Sequence, residues 1–330
     1  MARLGRVLLC AVAAAAAIAP TTDAATAAVT AAAAAAAATP PAAAAAAAAA
    51  PLTLRARQLA ALQYHIDRPW PSTKAGQPGG VSTWGEANLA LARLAHDRLG
   101  AGGSPGGGHA PNATLAAEIS AQVVGWETDP RFTPWANYTI NGPLGGLGAL
   151  PVLCRLALLP LTRAALSVPA LSALERIAFN WLSPRSNASW AGQANSWLLQ
   201  DGSENLDATH KANLYLCAVI ANRSDARRHA ALGPDTLVAL DGRPVRAHAA
   251  AWEGHWGRYF AHRAVEGIGA ELGSPTYAKY SLQAFANVRD LSGSAALAAR
   301  AGDFLTLWFV RPLASILLVF SSCCFIVCCY

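Results

Sequence analysis

Charged side chains are scarce in this sequence, because Asp, Glu, Lys and Arg make up only 13% of its 330 residues. That share is low for an ordinary soluble domain. Clusters of Lys and Arg interleaved with aromatic residues are also lacking, which argues against a nucleic-acid partner. The formal net charge of +6 is a mild excess, and it suits an anionic partner such as an acidic glycan.

Alternating β-branched segments and short sequence repeats are equally hard to find, and residues 236–240 are the best strand candidate. Apolar residues instead recur at spacings of three and four, between breaks rich in Gly, Pro, Asn and Asp. We therefore expect an all-α fold, with stacked helical hairpins forming an incomplete α/α toroid over residues 52–310. The predicted helices are 52–65, 85–99, 112–126, 144–159, 170–182, 204–221, 246–265, 276–291 and 294–308.

The first 24 residues have the pattern of a secretory signal peptide. Arg3 and Arg6 supply a basic start, Val7 to Ala19 is apolar, and Ala24 is a plausible cleavage position. The apolar run is shorter than the roughly 20 residues that a membrane anchor needs. Residues 25–51 are rich in Ala and Pro, have no amphipathic face and are predicted to be a low-complexity linker. We expect a secreted protein or one on the extracellular face of the plasma membrane.

Four Asn-x-Ser/Thr sequons agree with secretion and are the predicted glycosylation sites: Asn112, Asn137, Asn187 and Asn222. The apolar, uncharged segment within residues 311–330 is about one membrane thickness long. It is interpreted as a membrane anchor, a processed lipid-anchor signal, or sequence from an imperfect gene model. Four of the seven cysteines lie there, so Cys154 and Cys217 remain as one possible disulfide or as two buried free thiols.

Tryptophans are concentrated in the long predicted loops, and a flat indole is what a sugar ring packs against. Pinning the loops to the core is the equally weighted alternative. The loop residues concerned are Trp70, Trp84, Trp126, Trp135, Trp190 and Trp197.

Two polar stretches carry the candidate chemistry. In the first, "GSENLDATHK", Ser203 is a good N-cap and Glu204 falls in the first helical turn, where the helix dipole favours a carboxylate. Asp207 and Lys211 are four residues apart and can pair along the helix surface, and His210 shares a face with Asp207. These are also the ordinary features of a helix start.

The second stretch lies within residues 252–292. His255, Tyr259, His262 and Glu266 recur at spacings of four, three and four, and so form one helical stripe. Histidines seven residues apart are about 10 Å apart along the axis, so no shared metal is predicted. A loop then leads through Ser274 and Pro275 to a helix start that carries Tyr277 and Tyr280.

Together, "GSENLDATHKANLYL" and "EGIGAELGSPTYAKYSLQAFANVRDL" resemble a pattern in secreted α/α-toroid proteins related to heparinase-type and alginate-lyase-type polysaccharide lyases and to six-hairpin glycosidase-like proteins. The resemblance covers about residues 175–308. Leu206 departs from it, because the family pattern most often has His there. The nearest histidine, His210, is about 140° around the helix from Asn205. The matching residues are Ser203, Glu204, Asn205, Arg263, Gly267, Glu271, Ser274 and Tyr277.

The resemblance implies β-elimination at a uronic acid, without a cofactor. Asn205 would neutralise the substrate carboxylate, a His or Tyr would remove the C5 proton, and a tyrosine would protonate the leaving oxygen. The implied catalytic residues are Glu204, Asn205, His210, His262, Glu271 and Tyr277. The implied substrate-binding residues are Arg263, Trp197, Trp252, Trp256 and Tyr280.

Other functions remain open at this point. A glycoside hydrolase of the same fold would use Glu204 and Glu271 as its acid and base. A non-catalytic relative would bind glycan through its loop tryptophans. A membrane-tethered scaffold would use the helical domain only to hold partners.

Overall fold

The computed structural model describes residues 53–67, 83–100, 112–130, 132, 148–200, 202–232, 235–267 and 275–310. The predicted signal peptide, the linker to residue 51 and the C-terminal tail from 311 lie outside these ranges. The described residues from Arg55 onward belong to one unit.

The described chain is all-α, as the sequence predicts, and it contains no strand within those ranges. Residues 236–240 form a turn with a single isolated bridge between Val238 and Pro244, and therefore no sheet. None of the described helices has both the length and the apolar character required to cross a membrane. The major helices are α1 (Leu54–Asp67), α2 (Thr83–Gly100), α3 (Ala113–Trp126), α4 (Leu150–Leu158), α6 (Val168–Leu182), α8 (Glu204–Leu232), α9 (Val245–Glu266), α10 (Pro275–Leu291) and α11 (295–310).

Three short elements lie between these helices where the sequence predicts loops. They are α5 (Pro160–Arg163), α7 (Ala188–Ala191) and a 3₁₀ turn, Ser196–Leu198. Asn187 caps α7, because its side-chain oxygen accepts from the N–H of Trp190 at 2.9 Å. Most predicted helix ends agree with the structure to within a few residues, but α8 runs to Leu232 instead of 221, and the described part of the predicted 144–159 helix begins at Leu150.

Helix α8 is the central helix of the core, since it packs against α4, α6, α9 and α10. Its residues from Lys211 to Ala221 are all buried, which requires neighbours around most of its circumference. The aromatic part of the core lies between α9, α10 and α11, where Trp256, Phe260, Phe285 and Phe304 contact one another edge to face or tilted.

Cys154 on α4 and Cys217 on α8 are both buried and free, so the possible disulfide is corrected to two thiols. Burial raises the pKa of the Cys217 thiol well above its usual value, and the neighbouring Cys154 raises it further. A thiol that stays protonated in this way behaves as a small apolar side chain in the core.

Candidate functional site

The candidate site lies where the start of α8, the end of α9 and the start of α10 meet. Arg263 Nη2 on α9 is 3.8 Å from Glu204 Oε1 at the start of α8. The Thr209 hydroxyl, on the second turn of α8, donates to the backbone oxygen of Asn205 at 2.8 Å, and the same hydroxyl oxygen lies 3.5 Å from the backbone oxygen of Tyr280 on α10. We call this region the polar end and define it by Trp197, Glu204, His262, Arg263, Glu266, Tyr277 and Tyr280.

His262 and Trp197 form a stacked pair at the polar end, with ring centroids 4.1 Å apart and planes within 4°. The side chain of His262 is 46% exposed and its Nδ1 is 3.8 Å from Glu266 Oε1. Trp197 itself is only 8% exposed. The imidazole therefore covers the indole face on which a sugar would stack, and presents its own outer face to solvent.

Glu204 and Arg263 are a second pair of sequence-predicted site residues that the structure brings together. Their side chains are 13% and 27% exposed, so both are partly desolvated but reachable. Tyr277 is 50% exposed, and the partly buried Tyr280 has the ammonium of Lys279 4.9 Å from its ring centroid. A carboxylate, a guanidinium and an imidazole thus lie together at this end of the bundle, and two phenols lie at the start of α10.

Asp207 and Lys211 lie one and two turns further into α8. Lys211 Nζ is 2.8 Å from Asp207 Oδ2, which confirms the predicted pair. The predicted surface location is wrong, because the two side chains are 6% and 4% exposed. The segment before α8 covers them: Lys211 also donates to the backbone oxygen of Leu199 and lies 5.2 Å from the ring centroid of Trp190.

The hydroxyl of Tyr259 lies between the buried pair and the polar end. Burial raises the pKa of Tyr259, and the carboxylates of Glu204 and Asp207 raise it further, against a lowering by the Arg263 guanidinium. Tyr259 is therefore a neutral phenol at any physiological pH. It is suited to donating a hydrogen bond or a proton and unsuited to acting as a base.

His255 is the most strongly perturbed imidazole in the described chain. Burial, together with the positive charges of Lys211 and Arg258, lowers its pKa to about 3. Ser196 donates its hydroxyl hydrogen to the backbone oxygen of Ala191 at 3.1 Å, so its oxygen accepts from His255 Nδ1–H at 2.9 Å. His255 is thus neutral, and its Nε2 has no hydrogen-bond partner among the described residues.

A second buried histidine, His248, connects a serine and an aspartate. Ser186 Oγ is 2.6 Å from His248 Nδ1, and Asp241 Oδ1 is 2.9 Å from His248 Nε2. Trp252 Nε1–H donates to the same serine oxygen at 2.8 Å. A neutral His248 that donates from Nε2–H to the carboxylate accepts the serine hydroxyl at Nδ1.

The hydrogen-bonded series Ser186–His248–Asp241 has the residue types of a Ser-His-Asp catalytic triad but not its arrangement. In a catalytic triad the serine contacts Nε2 and the aspartate contacts Nδ1, which is the reverse of the present geometry. His248 is 0% exposed and Ser186 is 5% exposed, so neither is reachable by substrate. The network instead fastens the turn that carries Asp241 and the segment that carries Ser186 to α9.

Asp241 is held as a carboxylate by its surroundings. Burial raises its pKa, but the backbone N–H groups of Arg243 and Ala188 and the adjacent His248 together lower it below the ordinary value. The two N–H groups donate at 3.0 and 3.1 Å. The residue therefore serves as a fixed acceptor for three donors.

Several predicted site residues lie away from the polar end. His210 contacts Trp181 of α6 edge to face at 5.4 Å, on a different side of α8 from Glu204. Asn205 is 2% exposed and accepts from the Ser203 hydroxyl at 2.5 Å. Trp252 and Trp256 are 1% and 0% exposed, so neither indole offers a face to solvent. Glu271 lies outside the described residues.

The described loop tryptophans hold loops against the core. Trp126 stacks on Phe132 at 4.8 Å and 14° and is 3% exposed. Trp190 is partly buried and contacts Trp252 and His255. The side chains of Trp70, Trp84 and Trp135 are outside the described part of the chain. The packing of these indoles agrees with the alternative in which tryptophans pin loops to the core, and not with stacking on a sugar.

The sequons differ in their structural settings. Asn112 and Asn187 are exposed helix caps, whereas Asn222 lies part-buried within α8 and its sequon serine, Ser224, is 4% exposed. Asn137 is outside the described residues. Glycosylation at all four positions stays a prediction.

Comparison with known proteins adds no relative: no family model, no curated protein and no solved structure matches this chain. Within the described residues, no group of three or more His, Cys, Asp or Glu side chains is arranged to hold a metal ion.

Proposed function

We propose that this protein is a secreted or surface-anchored α/α-toroid protein that acts on an acidic polysaccharide by β-elimination. The observation that carries the proposal is the contact between Glu204 and Arg263. The two residues come from the two separate halves of the pattern that resembles polysaccharide lyases, and they meet across α8 and α9. The antiparallel packing of α8 with α9, in which Glu204 lies beside Arg263 and Lys211 beside Trp256, is also what a helical hairpin requires.

Arg263 is the group best placed to meet a uronate carboxylate. A guanidinium binds a carboxylate through two parallel N–H donors, and this contact acidifies the C5–H bond by stabilising charge that develops beside it. Asn205, which the sequence suggests for this role, is only 2% exposed. Glu204 holds the guanidinium at the mouth of the site in the absence of substrate.

His262 is proposed as the base and a tyrosine as the acid. The half-exposed imidazole would take the C5 proton, the electron pair would form the C4–C5 double bond, and the C4–O bond would break. The leaving oxygen would receive a proton from Tyr277, which is exposed at the start of α10. Asp207 and Lys211 would set the local field without touching the substrate.

The experiment is an elimination assay with the purified full-length secreted protein. Alginate, polygalacturonate and a heparin-type glycan are supplied separately, and the ultraviolet absorbance of the unsaturated uronate product is followed. We expect product from at least one substrate, and a loss of about a hundredfold or more in rate for Arg263→Gln. Arg93→Gln is the matched control, because Arg93 makes a surface pair with Glu118 at 2.7 Å, away from the polar end. Cleavage by hydrolysis, without the absorbance, would contradict elimination and favour the Glu204-dependent hydrolase.

Binding of glycan without cleavage is the second candidate function. It is favoured by Leu206, which stands where the related lyases most often have histidine, and by the placement of His210 against Trp181. Retention of glycan affinity by an inactive wild-type protein and by a Glu204→Gln, Tyr277→Phe double variant would support this alternative.

Secretion and membrane attachment are separate parts of the proposal. N-terminal sequencing of the protein from a eukaryotic culture is expected to show cleavage after Ala24. The anchoring role of residues 311–330 predicts that the protein partitions with membranes, and that a chain ending at residue 310 does not. A retained Met1 in the mature protein would contradict the secretory route.

A further inference from the structure

A groove of about 470 Å³ lies between α9 and α11, outside the polar end. Its volume falls within the range of sites that hold small ligands. Its polar lining comes from both helices and their connection: Glu253 and Arg258 on α9, and Ser294 and Arg300 around and within α11. The remaining lining residues are small or apolar: Ala250, Gly254, Gly257, Ala296 and Leu297.

The glycines of α9 make room for the two arginines. A Cβ at Gly254 would lie 3.2 Å from Arg258 Nη1, and a Cβ at Gly257 would lie 3.3 Å from Arg300 Nη1. Both distances are tighter than ordinary van der Waals contact. The absence of these side chains therefore allows both guanidinium groups to lie close to the surface of α9.

The two guanidinium groups are fixed by the protein but retain donors. Arg258 Nη2 donates to the backbone oxygen of Ala191 at 2.8 Å and to Ser196 Oγ at 3.3 Å, and its buried Nε has no hydrogen-bond partner among the described residues. Arg300 is exposed, and its Nη1 donates to the backbone oxygen of Gly257 at 3.0 Å. A guanidinium has five N–H donors, so each keeps some for a ligand.

The charge pattern of the groove fits a sugar that carries an oxyanion. The groove lining contains two guanidinium groups and one carboxylate, that of Glu253. The wall near Ser294 is the start of α11, where the helix dipole is positive. The arginines suit a carboxylate or sulfate group, and Glu253 suits the hydroxyl donors of a sugar ring. A simple anion would not require the Glu253 carboxylate, and a neutral sugar would not require the two arginines.

We propose that this groove is a binding subsite for an oxyanion-bearing sugar residue of an acidic polysaccharide, held by Arg258 and Arg300. The choice of a polysaccharide as the source of the anion rests on the proposed function, whereas the anion site itself rests on the groove. Its position is consistent with a longer glycan, because the 3₁₀ turn touches both regions: Ser196 contacts Arg258, and Trp197 contacts His262.

The test is calorimetric binding of a tetrasaccharide of hexuronate to the full-length protein and to its Arg300→Gln variant. Loss of one charge-assisted contact is expected to weaken binding about tenfold. Gly257→Ala is the second variant, and we expect weaker binding because the added methyl displaces the Arg300 guanidinium. Thermal unfolding of both variants verifies that each is folded.

Arg176→Gln is the matched control, because Arg176 forms a surface pair with Glu127. This substitution removes the same charge at a site away from the groove. A sulfated neutral tetrasaccharide distinguishes sulfate from carboxylate as the preferred anion, and the unsubstituted tetrasaccharide is expected not to bind through Arg300. Equal binding by wild type and Arg300→Gln, or an equal loss in Arg176→Gln, would overturn the proposal. Arg300-dependent binding by a protein without lyase activity would refute the proposed function and leave the groove assignment standing.

Discussion

The two parts of α9 carry the same kinds of side chain and use them differently. In the inner part, Val245 to Phe260, His248 and His255 are both 0% exposed and each is hydrogen-bonded to a serine of the segment before α8. In the outer part, His262 to Glu266, the imidazole of His262 is 46% exposed and lies over an indole. Position along the helix, rather than residue type, separates histidines that stabilise the fold from the one available for chemistry.

The segment between α6 and α8 produces this difference. It supplies Ser186 and Ser196 to the inner histidines, and Trp190 to the ring of His255, so it seals these two imidazoles from water. At Trp197 the cover ends, and His262 is the first histidine of the helix to reach solvent. We therefore expect large stability effects for the buried side chains of the inner part, and large functional effects with small stability effects in the outer part.

The largest effect is expected for Trp256→Ala in the inner part. The indole is 0% exposed and packs against Tyr259, Phe260 and Phe285, so its removal leaves a cavity in the aromatic core. We expect a loss of about 3–5 kcal/mol in the free energy of unfolding, measured by urea denaturation. Tyr277→Ala, at a 50% exposed position, is the control and should lose far less. Equal losses would remove the distinction between the two parts.

The next effect concerns the buried ion pair below the polar end. Lys211→Met leaves the Asp207 carboxylate buried without its ammonium partner, and should cost about 3 kcal/mol of stability. The double variant Asp207→Leu, Lys211→Met should recover much of that loss, because both charges are gone. Additive losses in this double-mutant cycle would show that the two side chains are not coupled.

The pH dependence of the free energy of unfolding should reflect the protonation of His255. Its pKa of about 3 in the folded protein is below the ordinary value of 6.5, so between these values the unfolded chain binds a proton that the folded chain does not. Its contribution is fully present above pH 6.5 and is lost as the pH falls towards 3, at up to about 1.4 kcal/mol per pH unit. His255→Gln does not titrate and should show a flatter stability profile between pH 6.5 and 5. Parallel profiles would mean that His255 is accessible to protons in the folded state.

The smallest stability effect is expected for Glu204→Gln in the outer region. The Glu204–Arg263 contact of 3.8 Å is partly exposed, and such pairs contribute less than about 1 kcal/mol. The same substitution should lower elimination activity by about a hundredfold, because the Arg263 guanidinium is no longer held in place for the substrate carboxylate. A stability loss above 2 kcal/mol, on the order expected for a buried pair, would assign Glu204 to the fold instead of the site.

Sequence periodicity predicts the helices well because it depends on local spacing. The predicted end of α8 is too early, because the polar residues from Asn222 onward interrupt the apolar pattern. The helix itself continues to Leu232. Burial is predicted less well. Asp207 and Lys211 look like a surface pair at i,i+4 spacing, and only the covering segment with Leu199 and Trp190 makes them part of the interior.

The candidate site is predicted only in part for the same reason. Glu204 and Arg263 can be paired from the resemblance alone, but which histidine faces them depends on tertiary packing. His210 is near Glu204 in sequence and turns to Trp181, whereas His262 is distant in sequence and lies at the polar end. The hydrogen bonds of His248 and His255 join residues about sixty positions apart, which local patterns do not reveal.

The most direct test of the account is an NMR titration of the full-length protein, with labelled histidine rings, against a hexuronate tetrasaccharide. The central claim is that the outer part of α9 presents its histidine to the glycan, whereas His248, the buried histidine at the start of the inner part, does not meet it. We predict that the His262 ring signals shift with added glycan, while those of His248 stay unchanged. Shifts at His248 without a shift at His262 would contradict it.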